Sequence, residues 1–336
     1  MGTKSLLGAI VGDILHVTFS DKHFVYDWNK PLLSEKSKIS GYTVITLAVA
    51  RYLMESHHLY HGAKKLAYSD KRMELLAKSV LDLAERHPDL EYPVWFQSWA
   101  TNGKSTKDKD SIIPTCLSPL AIYFCEKTDL YSTLCVIKEA TQAFTTEEDA
   151  VIGSLALSTA IYSLQQYVQY SGKAQILADF LKCLCRINIP DDFDELTSKD
   201  GWSTSAIKAL GPSIRVFLDN YTIAGAIDDI DIIDGQRTLV TPYVMTMMQV
   251  WHPFWEECDN IESYRLLLPK DLLEINDKFY DFMSQYDSNY IEDNDIKIEN
   301  EDNECEDNEN IAEEDSGSSD FSDIIKRLLK RLLKRL

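Results

Sequence analysis

The chain has 336 residues, 45% of them hydrophobic, enough for one large core and well outside the composition of a disordered protein. Its net charge of −20 excludes a general nucleic-acid binder, because gripping phosphates requires clustered Lys and Arg. No stretch carries the roughly 20 consecutive apolar residues that a membrane-spanning helix requires.

The apolar run from Met1 to Leu15 is interrupted by Asp13, and no small-residue cleavage site follows it. It is therefore expected to form the first helix of the domain rather than a secretory leader. Gly2 does not begin a myristoylation motif, since position six holds Leu6 instead of Ser or Thr. Asn29-Lys30-Pro31 marks a loop.

Apolar residues then recur at three- and four-residue spacing in Tyr42–Met54, Met73–Ala84, Leu134–Ala143, Ala150–Val168, Ala174–Leu184, Ala206–Leu218 and Leu239–Trp251. Alternating, strand-like segments are nearly absent. The polar run Thr101–Asp110 and Ile189-Pro190-Asp191-Asp192 read as loops. The fold class predicted is all-α, an orthogonal multi-helix bundle around one core over residues 1–285.

Beyond that boundary the composition changes twice. Residues 286–320 form an acidic linker, low in complexity, whose Asp/Glu/Asn stretch contains one Lys and too little apolar surface to offset the entropy of ordering. Residues 321–336 then read as a cationic amphipathic helix. At about 100° per residue, the Ile and Leu of Ile324–Leu336 fall on one half of the cylinder and all six Lys and Arg on the other. That pattern suits a membrane surface or a protein groove; folding back onto the acidic linker and self-association are the alternatives.

The seven cysteines are odd in number and mostly lie in apolar helical runs, as expected of reduced thiols in a cytoplasmic protein. Cys183 and Cys185 have no His-rich partner nearby, so no zinc site is assigned. His57 and His61 share a helix face but lack a third ligand. A solvated or structural role outweighs a metal role for them.

Gly8-Ala9-Ile10-Val11-Gly12-Asp13-Ile14-Leu15 is similar to the opening helix of the ADP-ribosylglycohydrolases, whose signature is a Gly-Ala-Ile-x-Gly-Asp run. Thr43-Val44-Ile45-Thr46-Leu47-Ala48 resembles the end of that family's Thr-Asp-Asp-Thr-x-x-Thr motif. Phe96-Gln97-Ser98-Trp99, Leu117-Ser118-Pro119-Leu120 and Ala224–Thr238 resemble three later landmarks in the same order. The resemblance covers about residues 5–255 and implies a compact helical fold around a cleft holding two magnesium ions.

Magnesium is a hard cation that takes oxygen ligands in octahedral geometry, and a two-metal clamp orients the ribose and activates water. Under the resemblance, Ser40, Gly41 and Tyr42 occupy the first metal motif, with Gly41 and Tyr42 in the aspartate positions. Gly235 and Arg237 occupy those of the second, aligned on Thr238. A one-residue shift substitutes Gln236 and Thr238, and neither register keeps a carboxylate. Ser20 stands where some members place a water-activating Glu, and Phe144–Glu148 lacks the histidines of a further motif.

The expectation is thus a catalytically inactive, cytoplasmic binding protein, without a cofactor, whose ligand resembles ADP-ribose. Arg237 is a candidate for pairing with a diphosphate and Tyr42 for stacking on an adenine; a carboxylate-paired Arg and a cleft-filling ring are the plainer readings. The main alternative is an active, magnesium-dependent hydrolase using Asp228, Asp231 and Asp234 as metal ligands. Those acids, and the second cluster Glu147-Glu148-Asp149, equally suit a solvated helix face or an N-terminal cap. A third alternative is a scaffold, peripheral at a membrane or bound to a protein partner through Ile324–Leu336. Gly12 and Asp13 read as a close helix contact and a buried cap.

Overall fold

The computed structural model describes residues 5–21, 27, 30–60, 69–102, 112–167, 206–233, 237–251 and 263–289. Within them the chain is all-helical, with no strands. The helices are α1 (Leu7–Ser20), α2 (Gly41–Ser56), α3 (Ser69–Ala84), α4 (Val94–Asn102), α5 (Ile113–Cys116), α6 (Ser118–Lys127), α7 (Leu130–Phe144), α8 (Glu148–Tyr167), α9 (Ala206–Asp219), α10 (Ile223–Ile232), α11 (Arg237–Trp251), α12 (Tyr264–Leu267) and α13 (Lys270–Asn289), with a 3-10 turn at His57–Tyr60. The segment Ala174–Leu184 and the sequence-defined linker and tail beyond residue 289 lie outside the described residues. So do Cys183, Cys185 and His61.

Three helices form the centre because each carries a long, mostly apolar run that is buried all the way round. All of Gly8 to Leu15 is buried in α1, Thr43 to Ala50 in α2, and Val240 to Val250 in α11. The most extensive helix contact joins α1 to α11. It is close because α1 presents Gly8 and Gly12, one turn apart on one face. A Cβ on Gly12 would lie 2.8 Å from Pro242 Cα, and one on Gly8 would strike the Met245 carbonyl. Buried Gln249 completes the joint, accepting from the Gly8 N–H and donating to the Ser5 carbonyl.

The outer helices are amphipathic. In α13, Leu272, Ile275, Phe279 and Met283 form a buried stripe at helical spacing, packed against α2. This helix runs on to Asn289, past the sequence boundary at 285, because its last turn continues from a well-anchored stripe. The buried apolar residues of nearly all helices belong to a single cluster. Cys116 and Cys125 are buried free thiols and Cys135 is a half-buried one; burial, with Glu126 adding to it, raises the Cys125 thiol well above its usual range.

Candidate functional site

The two sequence motifs meet across α1. Its Asp13, 3% exposed, accepts four hydrogen bonds from the start of α2. Ser40 donates from its backbone N–H at 2.8 Å and its hydroxyl at 2.6 Å. Thr43 donates from its N–H at 3.2 Å and its hydroxyl at 2.6 Å. Ser40 is itself the N-cap of α2, accepting from the Tyr42 N–H. The hydroxyls at this helix start are thus engaged in holding α2 to α1.

Gly41 is buried beneath the ring of Tyr92. A Cβ built at Gly41 would stand 2.8 Å from Tyr92 Cγ and closer still to the ring edge. Tyr92 is anchored in turn: its hydroxyl donates toward the His87 and Ala84 carbonyls, and its ring stacks on Phe96 with centroids 4.7 Å apart. Burial pushes the phenol up to about 12. The Gly41 N–H donates to the Glu91 carbonyl at 2.8 Å, so the strap from Glu91 to Pro93 lies directly over the first motif.

Half-buried Tyr42 meets His16 edge to face, with centroids 5.7 Å apart. His16 also reaches the second motif, its Nδ1 lying 2.6 Å from the Thr238 carbonyl. Pro242 accounts for that contact: it sits four residues after Thr238 and has no N–H to offer it. A carbonyl only accepts, so His16 carries its proton on Nδ1 and replaces the missing helical donor. His16 is therefore the residue linking Tyr42 to Thr238.

Arg237 begins α11 and turns toward the end of α1. Its guanidinium donates to Asp231 at 2.9 Å, to the Phe19 carbonyl at 3.2 Å and to the Asp21 carbonyl at 3.3 Å, and it lies over the Phe19 ring. It thus satisfies carbonyls left open where α1 ends. Ser20, between those two carbonyls in sequence, is exposed and donates to the Val17 carbonyl. Asp234, Gly235 and Gln236 lie outside the described residues.

Because the Arg237–Asp231 pair is partly exposed, Arg237→Ala is expected to cost only about 1 kcal/mol, measured as a shift in the urea midpoint. A loss above about 3 kcal/mol would mean that the α1 end depends on it much more heavily.

The acidic cluster on α10 is divided among separate partners. Asp231 pairs with Arg237, while Asp229 accepts from Asn220 at 2.5 Å. Burial, with Asp229 and Asp231 nearby, raises the Asp228 carboxyl. Glu148 and Asp149 occupy the first turn of α8, and Glu147 precedes it with its N–H bonded to the Thr145 hydroxyl. His57 bonds the Met54 carbonyl and packs against Phe282. Among the described residues, no group of three or more His, Cys, Asp or Glu is placed to hold a metal ion.

Among the described residues of the two motifs themselves there is no carboxylate to offer magnesium. The first motif offers a hydroxyl already bonded to Asp13 and a glycine under an aromatic ring; the second, where described, offers a cation and a carbonyl already bonded to His16. Sequence reasoning did not single out His16 or Tyr92. The i, i+3 spacing of Asp13 and His16 was a usable signal for the first, whereas nothing local marks Tyr92 as the cover of Gly41.

No family model matches the chain, and no curated protein matches it. Among the described residues, no helix is long and apolar enough to cross a membrane.

Proposed function

We propose that this chain is an ADP-ribosylglycohydrolase-like helical protein that has lost the two-magnesium reaction and acts by binding. The observation that carries this reading is the Tyr92 ring lying on Gly41, in the space an aspartate side chain would need. That Ser40–Thr43 and Arg237–Thr238 both bond to α1 supports the relation to that family. The engagement of Ser40, Thr43 and Arg237 in structural contacts supports the loss of metal. A ligand resembling ADP-ribose would then be bound without a metal ion, at a cytoplasmic location.

Calorimetry of the full chain tests this. ADP-ribose is expected to give the same binding heat with millimolar magnesium as with a chelator, and an ADP-ribosylated substrate is expected to show no release of ADP-ribose. Magnesium-dependent turnover that is abolished by Asp231→Ala or Asp234→Ala would overturn the proposal in favour of an active hydrolase using the α10 acids. Absence of ADP-ribose binding would remove the ligand while leaving the loss of metal standing.

A further inference from the structure

The far side of Tyr92 opens on a groove. It has a volume of about 580 Å³ and runs between the end of α3, the following strap and α4. Leu81, Ala84, Leu90, Tyr92, Phe96 and Ala100 supply an apolar lining, and Glu85 and Glu91 supply two carboxylates. Among the described residues, Asp82 and Asp89 are exposed on the same stretch of chain, where the exposed cations are Lys78 and Arg86. The groove thus places apolar and acidic side chains side by side.

We infer that this groove is the docking site of the chain's own Ile324–Leu336 segment. That segment has the complementary chemistry, with Ile and Leu at helical spacing on one half and six Lys and Arg on the other. The acidic linker is a poorer occupant for it. It matches the charge, but its large apolar residues Tyr290, Ile291, Ile296, Ile298 and Ile311 are few and scattered, whereas the groove presents apolar and acidic side chains together.

The segment can reach. His87, between α3 and α4 and next to groove-lining Pro88, contacts Asp271 at 3.0 Å, so the groove lies near the start of α13. The 20 residues of α13 span about 30 Å. The 34 residues from 290 to 323 can span up to about 110 Å, at about 3.3 Å each, several times what the return path requires. Attachment through the chain also makes docking intramolecular, which raises the effective concentration of a segment too short to be stably helical alone. Docked there, the basic helix would be withheld from anionic surfaces. This inference does not rest on the proposed loss of magnesium chemistry.

The test uses the full chain with a photo-crosslinking amino acid at Gln97 or Thr101, both exposed beside the groove and so tolerant of substitution. Irradiation at low concentration, followed by mass mapping, is expected to give intramolecular links to residues 324–336. The double substitution Glu85→Lys and Glu91→Lys is expected to cut that yield about fivefold and to increase co-sedimentation with vesicles containing phosphatidylserine, while circular dichroism reports an unchanged fold. Links confined to residues 287–315, links only between two chains, or no links at all would overturn the inference. So would an unchanged yield in a folded charge-reversed variant.

Discussion

Asp13→Ala is expected to lower the unfolding free energy by about 3–5 kcal/mol, one of the two largest single-substitution effects expected in this chain. The carboxylate is buried and accepts four hydrogen bonds, two from backbone N–H groups at the start of α2 and two from the Ser40 and Thr43 hydroxyls. Losing a helix cap costs about 1 kcal/mol, and each hydrogen bond to a charged acceptor about 1.5–3 kcal/mol, with imperfect additivity. Removal also leaves buried donors without an acceptor, and water has little access to replace it.

Asp13→Asn should retain most of the loss, since its NH2 group would face donors. Ser40→Ala removes one hydroxyl and keeps the carboxylate bonded to the remaining N–H groups, so its cost should be nearer 1 kcal/mol. Urea unfolding followed by circular dichroism gives the ranking. An Asp13→Ala loss below about 1 kcal/mol would show that α2 is held by apolar packing instead.

The second large effect belongs to Glu139. Arg72 is only 5% exposed, and its guanidinium grips Glu139 with both carboxylate oxygens, at 2.7 and 2.6 Å. The same group lies over the Tyr60 ring at 4.9 Å, and the Tyr60 and Tyr52 hydroxyls meet at 2.7 Å. The hydrogen bonds to Glu139 raise the Arg72 pKa, while burial lifts Tyr52 to about 12 and Tyr60 well above its usual value. One network therefore joins α2, the 3-10 turn, α3 and α7.

Glu139→Ala should cost about 3–5 kcal/mol, because it strands a guanidinium in a buried site. Arg72→Met combined with Glu139→Leu should recover most of that loss, since an apolar pair of similar volume carries no desolvation penalty. A double-mutant cycle on the urea midpoint separates the terms. If the double variant were as unstable as Glu139→Ala alone, the defect would lie in packing and not in the uncompensated charge.

Periodicity made the central helices legible. Tyr42–Met54 and Leu239–Trp251 fall within α2 and α11, and Gly12 with Asp13 were readable as a close contact and a cap. The starts of α3 and α8 lie two to four residues earlier than the apolar pattern, because polar residues opening a helix do not contribute to its buried stripe. The α4 and α6 helices were visible only as family-like landmarks, being short and flanked by turns.

The candidate site was less legible for a physical reason. Residues 13, 16, 41, 92 and 238 come together through packing between distant segments, and no local rule encodes that Tyr92 covers Gly41 or that His16 meets the carbonyl Pro242 leaves open. The plainer sequence reading of Arg237 as carboxylate-paired matches its contact with Asp231. That of Tyr42 as a space-filling ring accords with its half-buried packing on His16.

The α1–α11 joint also bears on how the chain comes off the ribosome. Helix α1 is buried throughout Gly8 to Leu15, yet its glycine face closes only on residues 242–249. At about 5–20 residues per second, those partners follow α1 by on the order of ten to fifty seconds. For that interval a mostly apolar segment waits without its main neighbour, which makes this long-range pairing slow to form and exposed to aggregation. Stalling of synthesis before residue 242 should therefore be more aggregation-prone than stalling after 251, as measured by sedimentation of stalled chains.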